Sequence, residues 1–215
     1  MKTKSKALLL TLCAVLLVAA SVMGTMAYLT STDKVENTFT VGKVAIKLDE
    51  AKANTDGSLV EGEGAARVKA NSYKLLPGHT YNKDPMVTVL NGSEASYIKM
   101  TVTFSKASAL DAIFASTGAD LTSIFNGYDS ANWIYKGNTK DASTDTRTYE
   151  FWYKETVGAP NADVALDALF DSITVPGTIT NKQLATIEGM TITVNAYTIQ
   201  ADGFANAEAA WAAFN

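Results

Sequence analysis

The sequence predicts a mainly β fold, an antiparallel sandwich with short peripheral helices, preceded by an apolar leader helix. Three observations predict it. Apolar and polar residues alternate with period two in several stretches rich in threonine and β-branched residues. Helical spacing is confined to short segments between them. The first 27 residues form a basic, then apolar, then small-residue run of the kind that directs export.

The leader is MKTKSKALLLTLCAVLLVAASVMGTMA. Lys2, Lys4 and Lys6 precede an apolar run from Ala7 to Ala20. Thr25 and Ala27 suit a peptidase that needs small residues just before its cut, so cleavage is expected between Ala27 and Tyr28. An earlier cut near Ser21 is the second option. Residues 1–27 are then a signal peptide and 28–215 a single domain. Ala7 to Leu29 is 23 residues without a charge, long enough to span a bilayer if the leader is retained. Membrane contact is expected through that uncleaved leader alone. Cys13, the one cysteine, lies in the apolar run, and Leu10-Thr11-Leu12 before it does not suit lipid attachment. Without the leader's lysines, 15 basic residues face 22 acidic ones, a net charge of −7. A mildly acidic domain with dispersed charge argues against nucleic-acid binding.

After a polar patch, Thr30 to Lys34, Phe39 and Val41 alternate with Thr38 and Thr40. Gly42 marks a phase slip, a bulge or tight turn. Val44, Ile46 and Leu48 then resume the alternation. Ala51 to Ala70 reads as a loop, with Glu61 and Glu63 solvated. Leu76-Pro77-Gly78 signals a turn. Met86 to Leu90 reads as a strand, and Ile98, Met100, Val102 and Phe104 as the inner face of the next. Asn91 to Glu94 between them suggests a hairpin. Ser108 to Phe125 takes helical spacing, with Ser108 and Asp111 as a capping box. A strand follows at Asn132 to Tyr135, then a polar turn from Gly137 to Thr146. Tyr149, Phe151 and Tyr153 alternate as a strand. Asp163 to Ile173 shows Leu166, Leu169, Phe170 and Ile173 at helical spacing. Met190 to Ala196 is the last clear strand. Ala205 to Phe214 is a short helix expected to dock through Trp211 and Phe214.

Three stretches together resemble the TasA/camelysin family of exported proteins from Gram-positive bacteria. They are GTMAYLTSTDKVENTFTVGKVAIKLDE (Gly24 to Glu50), KLLPGHTYNKDPMVTVLNGSEASYIKMTV (Lys74 to Val102) and TITVNAYTIQADGFANAEAAWAAF (Thr191 to Phe214). Ser105 to Glu188 carries no matching motif. The resemblance implies processing by the signal peptidase SipW and a jelly-roll β-sandwich. It also implies a place at the cell surface or in the extracellular biofilm matrix. Some members pass an N-terminal strand into the next subunit of a fibre.

The residues themselves offer no catalytic, cofactor or metal site. His79 is the one histidine, beside a Pro-Gly turn, with no HExxH and no second imidazole or thiol to complete a zinc site. The metallo-endopeptidase activity that the camelysin name brings is therefore not supported, and no enzyme is expected. The leading expectation is a secreted structural protein that polymerises with copies of itself or a related fibre subunit. Residues 28–41 are the candidate donor, with Leu29, Val35, Phe39 and Val41 as groove-filling anchors. The same stretch as the protein's own edge strand would give a monomeric surface protein. An adhesin or binding module is the alternative class. The aromatic run from Trp133 to Tyr153 would be its glycan platform, unless those rings pack the core.

Overall fold

In the computed structural model, the structure describes residues 6–8, 10–18, 42–117 and 121–214. The chain divides into two units, Met1–Val41 and Gly42–Asn215. In the first, residues 6–8 and 10–18 are helical and exposed. No helix among the described residues is long and apolar enough to cross a membrane.

The second unit is mainly β, as the alternation predicts. Its four-stranded sheet takes the order β10 (Val164–Ala165), β4 (Met86–Val89), β1 (Ile46–Ala51), β2 (Arg67–Val68). The five-stranded sheet runs β12 (Ile192–Gln200), β5 (Ser93–Ser105), β8 (Thr146–Tyr153), β7 (Trp133–Asp141), with β9 (Val157–Ala159) also on β5. A small sheet joins β3 (Thr80–Asn82), β11 (Ser172–Thr174) and β6 (Phe125–Asn126). Every pairing is antiparallel. Val87 and Val89 of β4, Ile98, Met100, Val102 and Phe104 of β5, and Tyr149 and Phe151 of β8 belong to one shared core. Each such side chain contributes about 1.5–3 kcal/mol on burial. The helices are α1 (Ala107–Thr117), α2 (Asn181–Thr186) and α3 (Ala207–Ala213).

Four expectations are corrected. Strands β4 and β5 are not a hairpin. β4 pairs with β1 and β10, whereas β5 pairs with β12, β8 and β9. The Asn91-Gly92 turn, with Gly92 at φ 81°, carries the chain from one sheet to the other. Residues 163–173 are not helical. Leu166, Leu169 and Phe170 are buried, but their segment bonds its neighbours, Leu166 N to Val87 O and Leu169 N to Pro85 O. Pairing with an open strand edge outweighs the helical spacing there. The polar stretch from Gly137 is mostly strand, since β7 continues to Asp141 through a register shift between Tyr135 and Gly137. The cap of α1 is not local either. Asp145, in the β7–β8 turn, accepts from Ser108 N through Oδ1 (2.9 Å) and from Ala107 N through its carbonyl (2.9 Å). Asp111 is instead held by Arg147 (2.7 Å) and Lys140 (3.0 Å).

The C-terminal helix docks through Trp211, whereas Phe214, the other expected anchor, is exposed with its ring 5.6 Å from that of Tyr197. Asn206 caps it through Ala209 N (2.9 Å), and Ala210 and Trp211 are buried. Trp211 lies 6.2 Å from Trp152, and Lys99 Nζ sits 4.6 Å from the Trp211 ring.

Asp145 combines the cap with a positive φ of 49°. Asp145→Ala should cost about 1–2 kcal/mol in urea unfolding, because it loses both the acceptor and a residue type that tolerates this backbone. Asp145→Asn keeps both and should stay close to the parent.

Candidate functional site

The site begins with two strand edges. On β12, Thr191 O accepts from Ser105 N and Ala201 N donates to Ala95 O. That phase turns the odd-numbered backbone groups toward β5. The groups of Ile192, Val194 and Ala196 point the other way, where no strand pairs with β12 among the described residues. On β1, Ala45 O accepts from Leu90 N, which turns Ile46 and Leu48 away from β4. Strand β2 covers that outer edge only at Glu50 and Ala51. Lys69 Nζ donates to the Leu48 carbonyl, standing where a strand would pair.

Between these edges lies a groove of about 1090 Å³. β1, the segment 68–75, α2 with the turn after it, and β12 line it. Leu48, Tyr73, Leu75, Met190, Ile192 and Val194 line it half-buried against the core. Apolar side chains left half-covered beside unpaired backbone are the features that strand addition uses.

One wall is held by charge. Arg67 bridges Asp49 (2.5 Å) and Asp84 (2.8 Å) and also donates to their backbone carbonyls. Lys47 reaches the other oxygen of Asp49 at 2.6 Å. Lys83 and Glu50 form a pair at 2.5 Å with both side chains under a tenth exposed. Asn71 donates to Glu50 (3.0 Å) and to Ala51 O (2.8 Å), tying segment 68–75 to β1. Tyr73 donates to Asn82 O at 2.6 Å, and burial beside Glu50 raises its pKa, so it stays a donor.

None of these charged residues was singled out from the sequence. A signal was present for Lys83, because Tyr81, Lys83, Pro85, Val87 and Val89 share one parity and all are buried. A lysine on that face needs a buried partner. Arg67 sits in a stretch that composition marks as loop, and its two carboxylates are 17 and 18 residues away.

The expected donor and processing residues, Ala27, Tyr28, Leu29, Val35, Phe39 and Val41, lie outside the described residues. His79 is exposed, its ring tilted 6.4 Å from Tyr81. No group of three histidine, cysteine or acidic side chains suited to a metal occurs among the described residues. Of the aromatic run, Trp133, Tyr149 and Phe151 are buried, Tyr135 is exposed, and the Trp152 ring lies 6.2 Å from that of Trp211 and 4.1 Å from Lys136 Nζ. Comparison with protein-family models, curated proteins and solved structures finds no match.

Lys83→Met strands the Glu50 carboxylate and should cost roughly 3–5 kcal/mol in denaturant unfolding. Adding Glu50→Gln should recover part of the loss. A pH dependence follows from Asp49. Burial raises its pKa, but hydrogen bonds from Lys47 and Arg67 outweigh burial and hold it below the ordinary 3.8. Its contribution is therefore complete above pH 3.8 and is lost as pH falls through the lower folded value. Asp49→Asn should flatten this acid limb of stability against pH while lowering stability at neutral pH.

Proposed function

We propose that this chain is a secreted structural subunit of the cell surface or extracellular matrix. It assembles when residues 28–41 of one copy enter the groove between β1 and β12 of the next. The reading carries with it export through a signal peptidase, the jelly-roll connectivity that the family resemblance implies, and no catalytic step. The observation that supports it most is the groove: two open strand edges above half-covered apolar side chains.

The proposed occupant has matching chemistry. Leu29, Val35, Phe39 and Val41 are all odd-numbered, so one extended strand presents them on one face, which Ser31, Asp33 and Asn37 share. The even positions from Thr30 to Thr40 are Thr, Thr, Lys, Glu, Thr and Thr, a solvent face. Each buried anchor contributes about 1.5–3 kcal/mol and each backbone hydrogen bond about 1. Ordering costs about 1–2 kcal/mol per residue. The margin is narrow enough for two charges to reverse it.

Phe39→Asp combined with Val41→Asp should abolish filaments in negative-stain microscopy and leave the circular dichroism spectrum unchanged. Normal filaments from that variant would reject the donor assignment. A parent protein whose N-terminus is Tyr28 and which stays monomeric at high concentration would point to the same strand pairing within its own chain.

A further inference from the structure

Lys83 and Glu50 meet inside the wall of the groove, with Nζ 2.5 Å from Oε2 and both side chains under a tenth exposed. The other oxygen of that carboxylate accepts from Asn71 Nδ2 at 3.0 Å. One carboxylate therefore bonds an amine at one oxygen and a primary amide at the other. The amide is fixed from two more directions. Nδ2 also donates to Ala51 O (2.8 Å), and Oδ1 accepts from Ala53 N (2.9 Å). We infer that Lys83, Glu50 and Asn71 are a self-modification site, at which Lys83 Nζ displaces the side-chain nitrogen of Asn71 and forms an isopeptide bond within the chain.

The three groups supply a nucleophile, a proton carrier and an electrophile. An amine attacks only through a free lone pair, and Lys83 has a proton acceptor in direct contact. Passing one proton to Glu50 frees that lone pair, and the pair carries no net charge before or after the transfer. Glu50 itself is a poor target, because an ionised carboxylate repels a nucleophile. Asn71 Cγ is the better one. Ala53 N–H already lies on Oδ1, where negative charge grows as the tetrahedral centre forms. The Nζ–Cγ bond forms and the Cγ–Nδ2 bond breaks. Nζ keeps one of its three protons. The other two travel by way of Glu50 to Nδ2, which leaves as ammonium, and Glu50 returns to its ionised form. No oxidant, activated group or second molecule is consumed. The attack requires the terminal bonds of the lysine to turn, carrying Nζ from Oε2 onto Cγ. Holding both reactants on one carboxylate replaces a bimolecular encounter. Glu50, Asn71 and Lys83 all line the groove, so the ammonium has a way out. The event happens once in each molecule and involves no turnover. The new bond closes a ring over residues 72–82, which include Tyr73 and Leu75 of the groove, whatever occupies that groove.

The secreted, purified protein is weighed intact by mass spectrometry, then unfolded and digested with trypsin. The expected mass is lower than that of the processed sequence by one ammonia. Lys83 should resist trypsin, and residues 70–74 should stay joined to residues 75–99 in one peptide with two N-termini, counted by amine labelling. Asn71→Ala should return the full sequence mass. So should Lys83→Met combined with Glu50→Gln, which leaves no unpaired ion behind. A folded parent at the full sequence mass, with Lys83 cut by trypsin, would overturn the proposal and leave a plain ion pair. An ammonia loss that persists in the Lys83→Met, Glu50→Gln variant would also overturn it, because the loss would then come from a cyclic imide at Asn71. A bond that forms equally well in Glu50→Gln alone would overturn the role of Glu50 as proton carrier.

Discussion

Strand β5 is bonded along both edges, and the rest of the domain follows from that saturation. Its thirteen residues pair with β12 on one side and with β8 and β9 on the other. Its inner face, Ile98, Met100, Val102 and Phe104, is fully buried. A strand with no free edge fixes its neighbours, so β12 is left at the margin of the sheet with one edge unpaired among the described residues. On the opposing sheet, β1 is paired with β4 along one edge and with β2 over just two residues on the other. Among the described residues, the groove lies between these two edges, beside half-buried side chains packed against the core.

An opening of this kind needs a firm frame, and here the frame is ionic. Exposed ion pairs contribute little, about 0–1 kcal/mol. Removing one partner of a buried pair is far more disruptive. Lys83 and Glu50 belong to the second kind, and Asn71 couples them to the segment that walls the groove. Arg67 ties β2, β1 and the approach to β4 together through Asp49 and Asp84. Charged contacts on a groove wall resist collapse onto the apolar floor, because closing over them would bury charge without new partners. Lys69 on the Leu48 carbonyl is a different device. A lysine at an exposed edge discourages unspecific strand pairing, yet it is displaced more easily than a paired strand.

The misread segments share one cause. Residues 163–173 place apolar side chains at helical spacing, yet Leu166 and Leu169 donate to Val87 and Pro85 on a neighbouring strand. Met86 to Phe104 alternates as a hairpin would, yet the turn at Asn91-Gly92 changes sheets. Ser108 and Asp111 have the spacing of a local cap, yet the cap comes from Asp145 across the fold. In each case the local pattern correctly marked which side chains are buried or which amide needs a partner. It could not say which distant group would serve.

The sequence by itself determined the period of the core strands β1, β4, β5, β8 and β12, the apolar leader, the docking of the terminal helix through Trp211, and the absence of a histidine or thiol set for zinc. These depend on neighbours in the chain or on composition alone. Tertiary structure decided which strands became edges, where Lys83 and Arg67 found carboxylates, and that a groove opens between β1 and β12. Backbone donors and acceptors are nearly identical at every residue, so a strand's period does not name its partner. Partner choice comes from packing both faces at once, and that is settled only when the whole chain has folded.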